Sequence, residues 1–216
     1  ISNHRARAHT HTWRQRIDAL LIGKQTAVID NPLLTNRSDA ILPAQKKQPV
    51  RIILSRSQDI PMLAQDGVSP LHLSHRGLPG ETWWICPSSI SQATSQCLEE
   101  GVIQWFIPDL VEANAIQARQ QDARHAQERN NLVVNSPILP LNLDNLLTFL
   151  AKKQIDSVLI EGGAYTLRAF FEANLVDEAH IYLDTSADIA LPYPDTAFWH
   201  PLKNFALMEK TIIDDN

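Results

Sequence analysis

Five short, almost purely apolar runs constrain the fold of this chain more than any other feature of its 216 residues. Each is four to six residues long and ends at polar or turn-forming residues; they are Asp18–Gly23, Val50–Leu54, Trp83–Cys86, Val102–Ile107 and Ser157–Ile160. A run of this length with so few polar side chains is typical of a strand whose two faces are both covered. Both faces of the predicted sheet therefore need other elements against them.

Helical patterns lie between several of these runs. Apolar residues recur with helical spacing in Ser2–Arg16, which also has a basic face, in Leu143–Gln154 and in Ala164–Asn174. Strands that alternate with helices predict an α/β fold, with a mostly parallel central sheet and helices on both faces. Two later segments, Ala179–Leu183 and Phe205–Ile213, have the character of strands with no helix between them, which predicts an antiparallel C-terminal edge.

The segment Glu112–Asn131 differs from the rest of the chain, because it is rich in Ala, Gln, Arg and Asn and has almost no large apolar side chain. It has helical propensity but little to bury, so we expect a surface insertion at about residues 108–135. We expect residues 1–216 to form a single domain. The chain begins Ile-Ser-Asn-His, without a methionine or a signal peptide, and we expect part of the gene product to precede it.

Composition argues against several classes of partner. The 19 basic and 24 acidic residues give a net charge of −5, so no global positive field attracts nucleic acid or an anionic membrane. No apolar run approaches the roughly 18 residues that a membrane helix needs. Two cysteines, Cys86 and Cys97, are too few for a disulfide framework and predict a reducing compartment, the cytoplasm. Neither they nor the histidines have a recurring ligand spacing, so no metal site is predicted, and Cys86 is expected to be a core residue.

A pair of adjacent glycines, Gly162 and Gly163, lies between the last apolar run and the helix that begins at Ala164. Backbone N–H groups in a turn without side chains can approach a phosphate closely, and Glu161 would stand beside them at the carboxyl end of the strand. This pattern is typical of a dinucleotide diphosphate site. It is equally typical of a tight strand-to-helix turn, because the full GxGxxG motif is absent.

Two polar segments, both expected to be loops, follow the first and second apolar runs. In Thr26–Arg37 the turn former Asp30-Asn31-Pro32 is accompanied by hydroxyls and by Arg37, which together with Arg14 could clamp a phosphate. Ser55-Arg56-Ser57 follows the second run and suits the 2′-phosphate that distinguishes NADP from NAD. For each arginine, a solvated surface position is the alternative interpretation.

Taken together, these motifs resemble the reductase domain of the bifunctional riboflavin-biosynthesis deaminase/reductase, a member of the dihydrofolate-reductase-like superfamily. The resemblance runs from Ile1 to about Tyr182, except for the 108–135 stretch. It depends on the order and spacing of the helix with Arg14, Asp18–Gly23, Thr26–Arg37, Pro49–Leu54, Ile160–Gly163 and Leu175–Glu178. It implies a dihydrofolate-reductase-like fold and NADPH-dependent reduction of 5-amino-6-(5-phosphoribosylamino)uracil to 5-amino-6-(5-phosphoribitylamino)uracil.

The resemblance also implies roles for individual residues. Substrate binding falls to Arg14, Leu34, Arg37 and Glu161, with both arginines facing the 5-phosphate. Cofactor binding falls to Thr26, Asp30, Ser55, Arg56, Gly162, Gly163, Ala164, Tyr165 and Thr166. No catalytic acid or base is identified, because hydride transfer asks the protein mainly for binding and orientation. The resemblance further implies a homodimer.

The chain departs from the family pattern in several respects, among them the segment Asp184–Pro194, which lacks the family's usual Gly-containing loop. An N-terminal strand before Ile1 and a final strand after Asn216 are missing, so we expect a reductase domain truncated at both ends. Asn31 replaces a second aspartate after Asp30. The deaminase domain is not represented, although the full-length product would carry one fused to this domain.

Two other functions are compatible with the sequence. One is a paralogous NADPH reductase that acts on another pyrimidine or a pterin. The other is a non-catalytic nucleotide-binding or scaffolding domain. Retention of Arg14, Arg37 and Glu161 together favours an enzyme, because a decayed site has no physical reason to keep buried charge.

Overall fold

A computed structural model of the chain describes residues 4–38, 41–59, 71–74, 77–111 and 141–182. In these ranges the strands are β1 (Ala19–Gly23), β2 (Val50–Leu54), β3 (Thr82–Ser88), β4 (Thr94–Glu99), β5 (Val102–Pro108) and β6 (Val158–Gly162). The helices are α1 (His4–Arg16), α2 (Lys24–Asp30), α3 (Leu143–Lys152) and α4 (Ala164–Glu172). All five apolar runs thus form strands, as predicted.

The strands form a mixed six-stranded sheet in the order β4-β5-β3-β2-β1-β6. Every neighbouring pair is parallel except β4 and β5, which are antiparallel. The central strand β1 pairs with β2 from Ala19↔Val50 to Gly23↔Leu54, so the carboxyl ends of the two strands lie side by side. The predicted α/β fold with a mostly parallel sheet is confirmed.

The two faces of the sheet bury separate clusters of side chains. Ala19 and Leu21 belong to a core that includes residues from α3 and α4, such as Leu146 and Phe170; we call this the α3–α4 side. The alternate residues of β1, Leu20 and Ile22, belong to a second core with Ala27 of α2, which we call the α2 side. Helices therefore cover both faces, which explains why the strands are apolar throughout.

The antiparallel strand in the described part of the chain is β4, which the sequence analysis missed. It lies at an edge of the sheet and is mostly exposed, so its sequence, Thr-Ser-Gln-Cys-Leu-Glu, has no apolar run. The sequence instead predicted an antiparallel edge at the C-terminus, in Ala179–Leu183 and Phe205–Ile213. Residues 179–182 form no strand, and Leu183 and 205–213 lie outside the described residues.

The segment Thr26–Arg37 was expected to be a loop, but its first residues form α2. The helix ends where the turn signal predicts, because Asn31 takes the left-handed conformation with φ of 41° before Pro32. In α1, Arg14 is 8% exposed, so the alternative of a solvated surface position does not hold for this arginine. Both findings matter for the site, since they place Thr26 and Arg14 on rigid elements.

The amino ends of β1 and β6 are joined by Asp18. Its carboxylate accepts hydrogen bonds from the backbone N–H groups of Asp156 and Ser157, from Ser157 Oγ and from Lys47 Nζ at 2.7 Å. The bond from Lys47 and those from Ser157 and Asp156 outweigh the effect of burial and lower the pKa of Asp18 to about 2. This network holds the end of the sheet opposite to the predicted site.

Residues 112–135 of the predicted insertion lie outside the described residues. The residues that flank 112–140 are adjacent, because Val111 and Leu141 form an antiparallel bridge and Asn142 N donates to Leu110 O. Among the described helices, none has the length and apolar character that crossing a membrane requires.

Candidate active site

β1 and β6 are parallel neighbours at which the winding of the sheet changes direction. From β1 the sheet continues through β2 and β3 on one side, whereas β6 lies on the other side. The helix after β1 buries Ala27 on the α2 side, and the helix after β6 buries Phe170 on the α3–α4 side. Ligands of open α/β sheets bind at such a switch point, outside the carboxyl ends of the strands.

Three glycines and two threonines meet at this switch point. A Cβ atom on Gly162 would lie 3.3 Å from Thr26 Cγ2, and one on Gly163 would lie 3.0 Å from Thr26 Oγ1 and 3.3 Å from Thr166 Oγ1. A Cβ atom on Gly23 would lie 2.6 Å from Thr166 Oγ1. The two threonine side chains therefore pack so closely against the backbone of the three glycines that a Cβ atom at any of these positions would require a threonine to shift. The predicted strand-to-helix turn at Gly162 and Gly163 is confirmed.

The structure brings Arg14 and Glu161 together as a bidentate ion pair. Arg14 Nε donates to Glu161 Oε1 at 2.7 Å and Nη2 donates to Oε2 at 2.6 Å. A third donor, Nη1, binds the backbone oxygen of Thr35 at 2.8 Å. The side chains are only 10% and 17% exposed, so this pair fixes α1 and the 31–38 segment against the end of β6. The carboxylate of Glu161 also balances the positive charge of Arg14.

The remaining residues predicted for the substrate lie in the segment that Arg14 holds. Leu34 is buried on the α2 side and has a φ of 51°, which is unusual for a residue other than glycine. Arg37 is exposed, and its backbone N–H donates to His11 Nδ1 at 3.3 Å. Among the described residues its guanidinium has no carboxylate partner, in contrast to Arg14.

The other residues predicted for the cofactor lie at the start of α4, at the end of α2 and in the loop after β2. Thr166 is buried, while Ala164 and Tyr165 are exposed at the start of α4, and Asp30 is exposed at the end of α2. Ser55 is 1% exposed; its Oγ donates to the backbone oxygen of Ser57 at 2.7 Å. The 55–57 loop is therefore fixed from within at the carboxyl end of β2, and Arg56 stands half-buried in it.

Two residues at these strand ends were missed by the sequence analysis. Gly23 has the closest approach of the three glycines, and its only signal was that it ends an apolar run. Lys24 follows it, and its Nζ donates to the Asp59 carboxylate, to Asp59 O at 2.9 Å and to Ser57 Oγ at 3.2 Å. A lone lysine after a strand gave no signal in the sequence.

Other polar groups in the core are structural. Arg51 is 1% exposed, and its guanidinium donates to Thr82 Oγ1, Pro79 O and Gly80 O at the amino end of β2 and β3. Burial lowers its pKa to about 10. Cys86 is a buried core residue, as predicted, and burial raises the pKa of its thiol. In the part of the chain that the structure describes, no group of three or more His, Cys, Asp or Glu side chains is placed to hold a metal.

Comparisons with known proteins identify the family of this chain. A model of the RibD C-terminal domain family matches residues 1–184. Riboflavin biosynthesis protein RibD of Escherichia coli K12 is 26% identical over 196 residues, which cover 85% of this chain and 41% of that protein. The protein of the same name from Bacillus amyloliquefaciens is 28% identical over 185 residues, which cover 84% of this chain and 38% of the relative. The chain thus spans about two fifths of the length of these relatives.

Two solved structures align with most of this chain. Acinetobacter baumannii RibD, form 2, has 23% identity and a TM-score of 0.49, with 87% of this chain and 42% of that chain covered. The riboflavin biosynthesis reductase Rib7 of Saccharomyces cerevisiae has 19% identity and a TM-score of 0.49, with 80% and 61% covered. The family match extends over six sevenths of the sequence and includes every residue of the site described above. This chain belongs to the RibD C-terminal domain family.

Proposed function

We propose that this chain is an oxidoreductase of riboflavin biosynthesis that uses NADPH to reduce 5-amino-6-(5-phosphoribosylamino)uracil to 5-amino-6-(5-phosphoribitylamino)uracil. Membership of the RibD C-terminal domain family supports the reductase activity. The names of the relatives, riboflavin biosynthesis proteins, support the pathway. The substrate and cofactor follow from the motif resemblance, and the site geometry is compatible with both.

The cofactor assignment is supported by the close approach of Gly23, Gly162 and Gly163. A diphosphate needs backbone N–H groups that no Cβ atom shields, and these are positions at which a Cβ atom would meet Thr26 or Thr166. The two threonine hydroxyls lie beside the same turn and offer further hydrogen bonds. When bound, NADPH would supply a hydride, that is, one hydrogen with two electrons, and a proton from solvent or a nearby group would complete the reduction. The protein fixes the position of the cofactor and the distance to the substrate.

The substrate assignment is supported by the arrangement of the two arginines. Arg14 donates three of its five N–H groups to Glu161 and Thr35, so in this arrangement it mainly holds the pocket wall in place. Arg37 is exposed in the same segment and is the better ligand for the 5-phosphate. Leu34 lies in the same segment and is buried on the α2 side.

The assembly and location of the protein are further parts of this proposal. We infer a homodimer and a cytoplasmic location, in line with the family resemblance and with the sparse cysteines. We also infer that the full-length product carries a fused deaminase domain. Size-exclusion chromatography with light scattering of the expressed chain tests the dimer.

One observation carries the proposal: the bidentate Arg14–Glu161 pair stands directly beside a turn without side chains at the switch point of the sheet. The test is oxidation of NADPH by the purified chain, followed at 340 nm with and without the phosphoribosylamino-pyrimidine. Oxidation that depends on this substrate supports the proposal. Binding of NADPH without turnover would favour the non-catalytic nucleotide-binding domain, and turnover only with another pyrimidine or a pterin would favour the paralogous reductase.

The role of Arg37 has a separate test. We expect Arg37→Ala to raise KM for the phosphorylated substrate about tenfold or more, the loss typical of a charged hydrogen bond to phosphate, and to leave KM for NADPH within twofold. Arg168→Ala is the control, because Arg168 is equally an exposed arginine but is paired with Glu172 on α4. An equal increase in both KM values for Arg37→Ala would overturn the phosphate assignment.

A further inference from the structure

A cation and a carboxylate that the function above does not use stand between the ends of β1 and β2. Lys24 is the first residue after β1, and Asp59 lies five residues after β2. Lys24 Nζ donates to the Asp59 carboxylate, to Asp59 O at 2.9 Å and to Ser57 Oγ at 3.2 Å. All three ammonium donors thus point to the loop that follows β2.

In Rossmann-type sheets the loop after the second strand distinguishes the two nicotinamide cofactors, and we assign the corresponding role to the loop after β2. An acidic residue after the second strand accepts a hydrogen bond from the ribose 2′-hydroxyl and favours NAD, whereas a basic residue accommodates the 2′-phosphate of NADP. The loop here contains both kinds of residue, Arg56 and Asp59. Which cofactor the loop accepts depends on whether the charge of Asp59 is exposed to the phosphate.

Lys24 decides that question electrostatically. Hydrogen bonds from Lys24 and Ser57 lower the pKa of Asp59, so this carboxyl group is ionised at neutral pH and its charge is balanced by the lysine rather than by a proton. The formal charges of Lys24, Arg56 and Asp59 sum to +1. Without Lys24, the formal charges of Arg56 and Asp59 sum to zero.

Exposure of the pair shows how the ammonium group would become available. The Asp59 side chain is 74% exposed, whereas that of Lys24 is 25% exposed. An ion pair of this exposure contributes little to stability, so the carboxylate can turn into solvent at small cost. The partly buried lysine would stay at the strand ends and donate to a phosphate instead.

We propose that the Lys24–Asp59 pair sets the preference of this protein for NADP(H) over NAD(H), with Lys24 as a ligand of the 2′-phosphate beside Arg56. The proposal rests on the proposed function, since it assumes a nicotinamide dinucleotide at the switch point. According to this proposal, Lys24 strengthens the binding of NADPH, whereas the negative charge of Asp59 weakens it.

The test is titration calorimetry of NADPH and NADH into the full chain and three variants. We expect Lys24→Met to weaken NADPH binding about tenfold or more, because a charged hydrogen bond to phosphate is lost, and to leave NADH within about twofold. We expect Asp59→Asn to strengthen NADPH binding about threefold by removing the like charge, again without effect on NADH. Lys47→Met is the control, since it removes a comparable ion pair, that with Asp18, at the opposite end of the sheet.

The expected changes in NADPH affinity have opposite signs in Lys24→Met and Asp59→Asn, and this distinguishes a role in cofactor specificity from a structural role in the loop. If Lys24 only anchored the 55–59 loop, both variants would weaken both cofactors to a similar degree, and this result would overturn the inference. Circular dichroism excludes an unfolded variant, and Asp59→Asn decides the question if Lys24→Met does not fold. Wild-type protein that binds neither cofactor refutes the proposed function itself, whereas wild-type protein that binds NADPH with unchanged ratios in both variants refutes only the role of Lys24 and Asp59.

Discussion

At the scale of single residues, the Arg14–Glu161 pair is the most constrained feature of the site. Its three short hydrogen bonds join α1, β6 and the 31–38 segment, which are far apart in the sequence. Pairing of two buried charges rarely adds net stability, but loss of one partner leaves the other charge uncompensated. The pair therefore specifies where the segment with Arg37 lies relative to the glycine turn.

Glu161→Gln tests this constraint on stability. The glutamine keeps one acceptor but removes the charge and places its NH₂ group against an Arg14 donor, so we expect a loss of roughly 2–3 kcal/mol in the free energy of unfolding, somewhat less than for a fully buried pair. Urea unfolding at pH 7 measures it. Glu172→Gln is the control, because it breaks an exposed i,i+4 pair with Arg168 and should cost at most about 0.5 kcal/mol. Similar losses in the two variants would contradict the constraint.

Gly163→Ala tests the close approach of the strand ends. Gly163 has a φ of +86°, and a Cβ atom there would lie 3.0 Å from Thr26 Oγ1. Gly77 has a φ of +80° but no described atom within 4 Å of its Cβ position, so Gly77→Ala isolates the backbone strain. We expect a loss of roughly 1–2 kcal/mol for Gly77→Ala and about 1 kcal/mol more for Gly163→Ala, measured by urea unfolding. The affinity for NADPH should fall in Gly163→Ala and not in Gly77→Ala. Equal losses of stability in the two variants would contradict a tight contact at Gly163, because Thr26 would then move aside at no cost.

At the scale of elements, the sequence predicted what depends on burial and missed what depends on pairing. The five apolar runs form strands whose two faces are both covered. Burial on both faces requires apolar residues throughout a strand, so each run could be recognised from its own sequence. β4 has polar residues because its pairing with β5 leaves it at the edge, and α2 was taken for a loop because the turn signal at Asn31 dominated its short sequence. Glu161 lies 147 residues from Arg14, so a motif could suggest each residue but not their contact.

Asp18 is the joint between the amino ends of β1 and β6, and its stabilisation depends on pH. Its pKa of about 2 in the folded protein is below the ordinary value of 3.8, so its contribution is complete above about pH 5 and is lost as the pH falls towards 2. We expect Asp18→Asn to cost about 1–2 kcal/mol at pH 7, after allowance for partial exposure. Urea unfolding between pH 2 and 7 should show the wild-type and variant curves converge at the acid end. Lys47→Met, which leaves the bonds from Ser157, should cost less.

At the scale of the whole molecule, the position of Cys86 makes binding measurable without catalysis. Cys86 is fully buried in β3 in the middle of the sheet, whereas Cys97 is exposed on the edge strand. Burial raises the pKa of the Cys86 thiol, which further suppresses the reactive thiolate. In a Cys97→Ser variant, labelling of the remaining thiol should therefore require opening of the sheet, and its rate should increase steeply with urea.

A ligand that binds only the folded protein must slow this labelling by the factor 1 + [L]/Kd, so NADPH at about 100 times its Kd should slow it about a hundredfold. The measurement is the rate of reaction of the Cys97→Ser variant with a thiol reagent, with NADPH, with NADH and with neither. NADH at the same concentration should protect much less, because it lacks the 2′-phosphate that Arg56 and Lys24 are proposed to bind. A labelling rate that rises steeply with urea, as global unfolding does, but does not respond to NADPH would contradict cofactor binding to the folded chain.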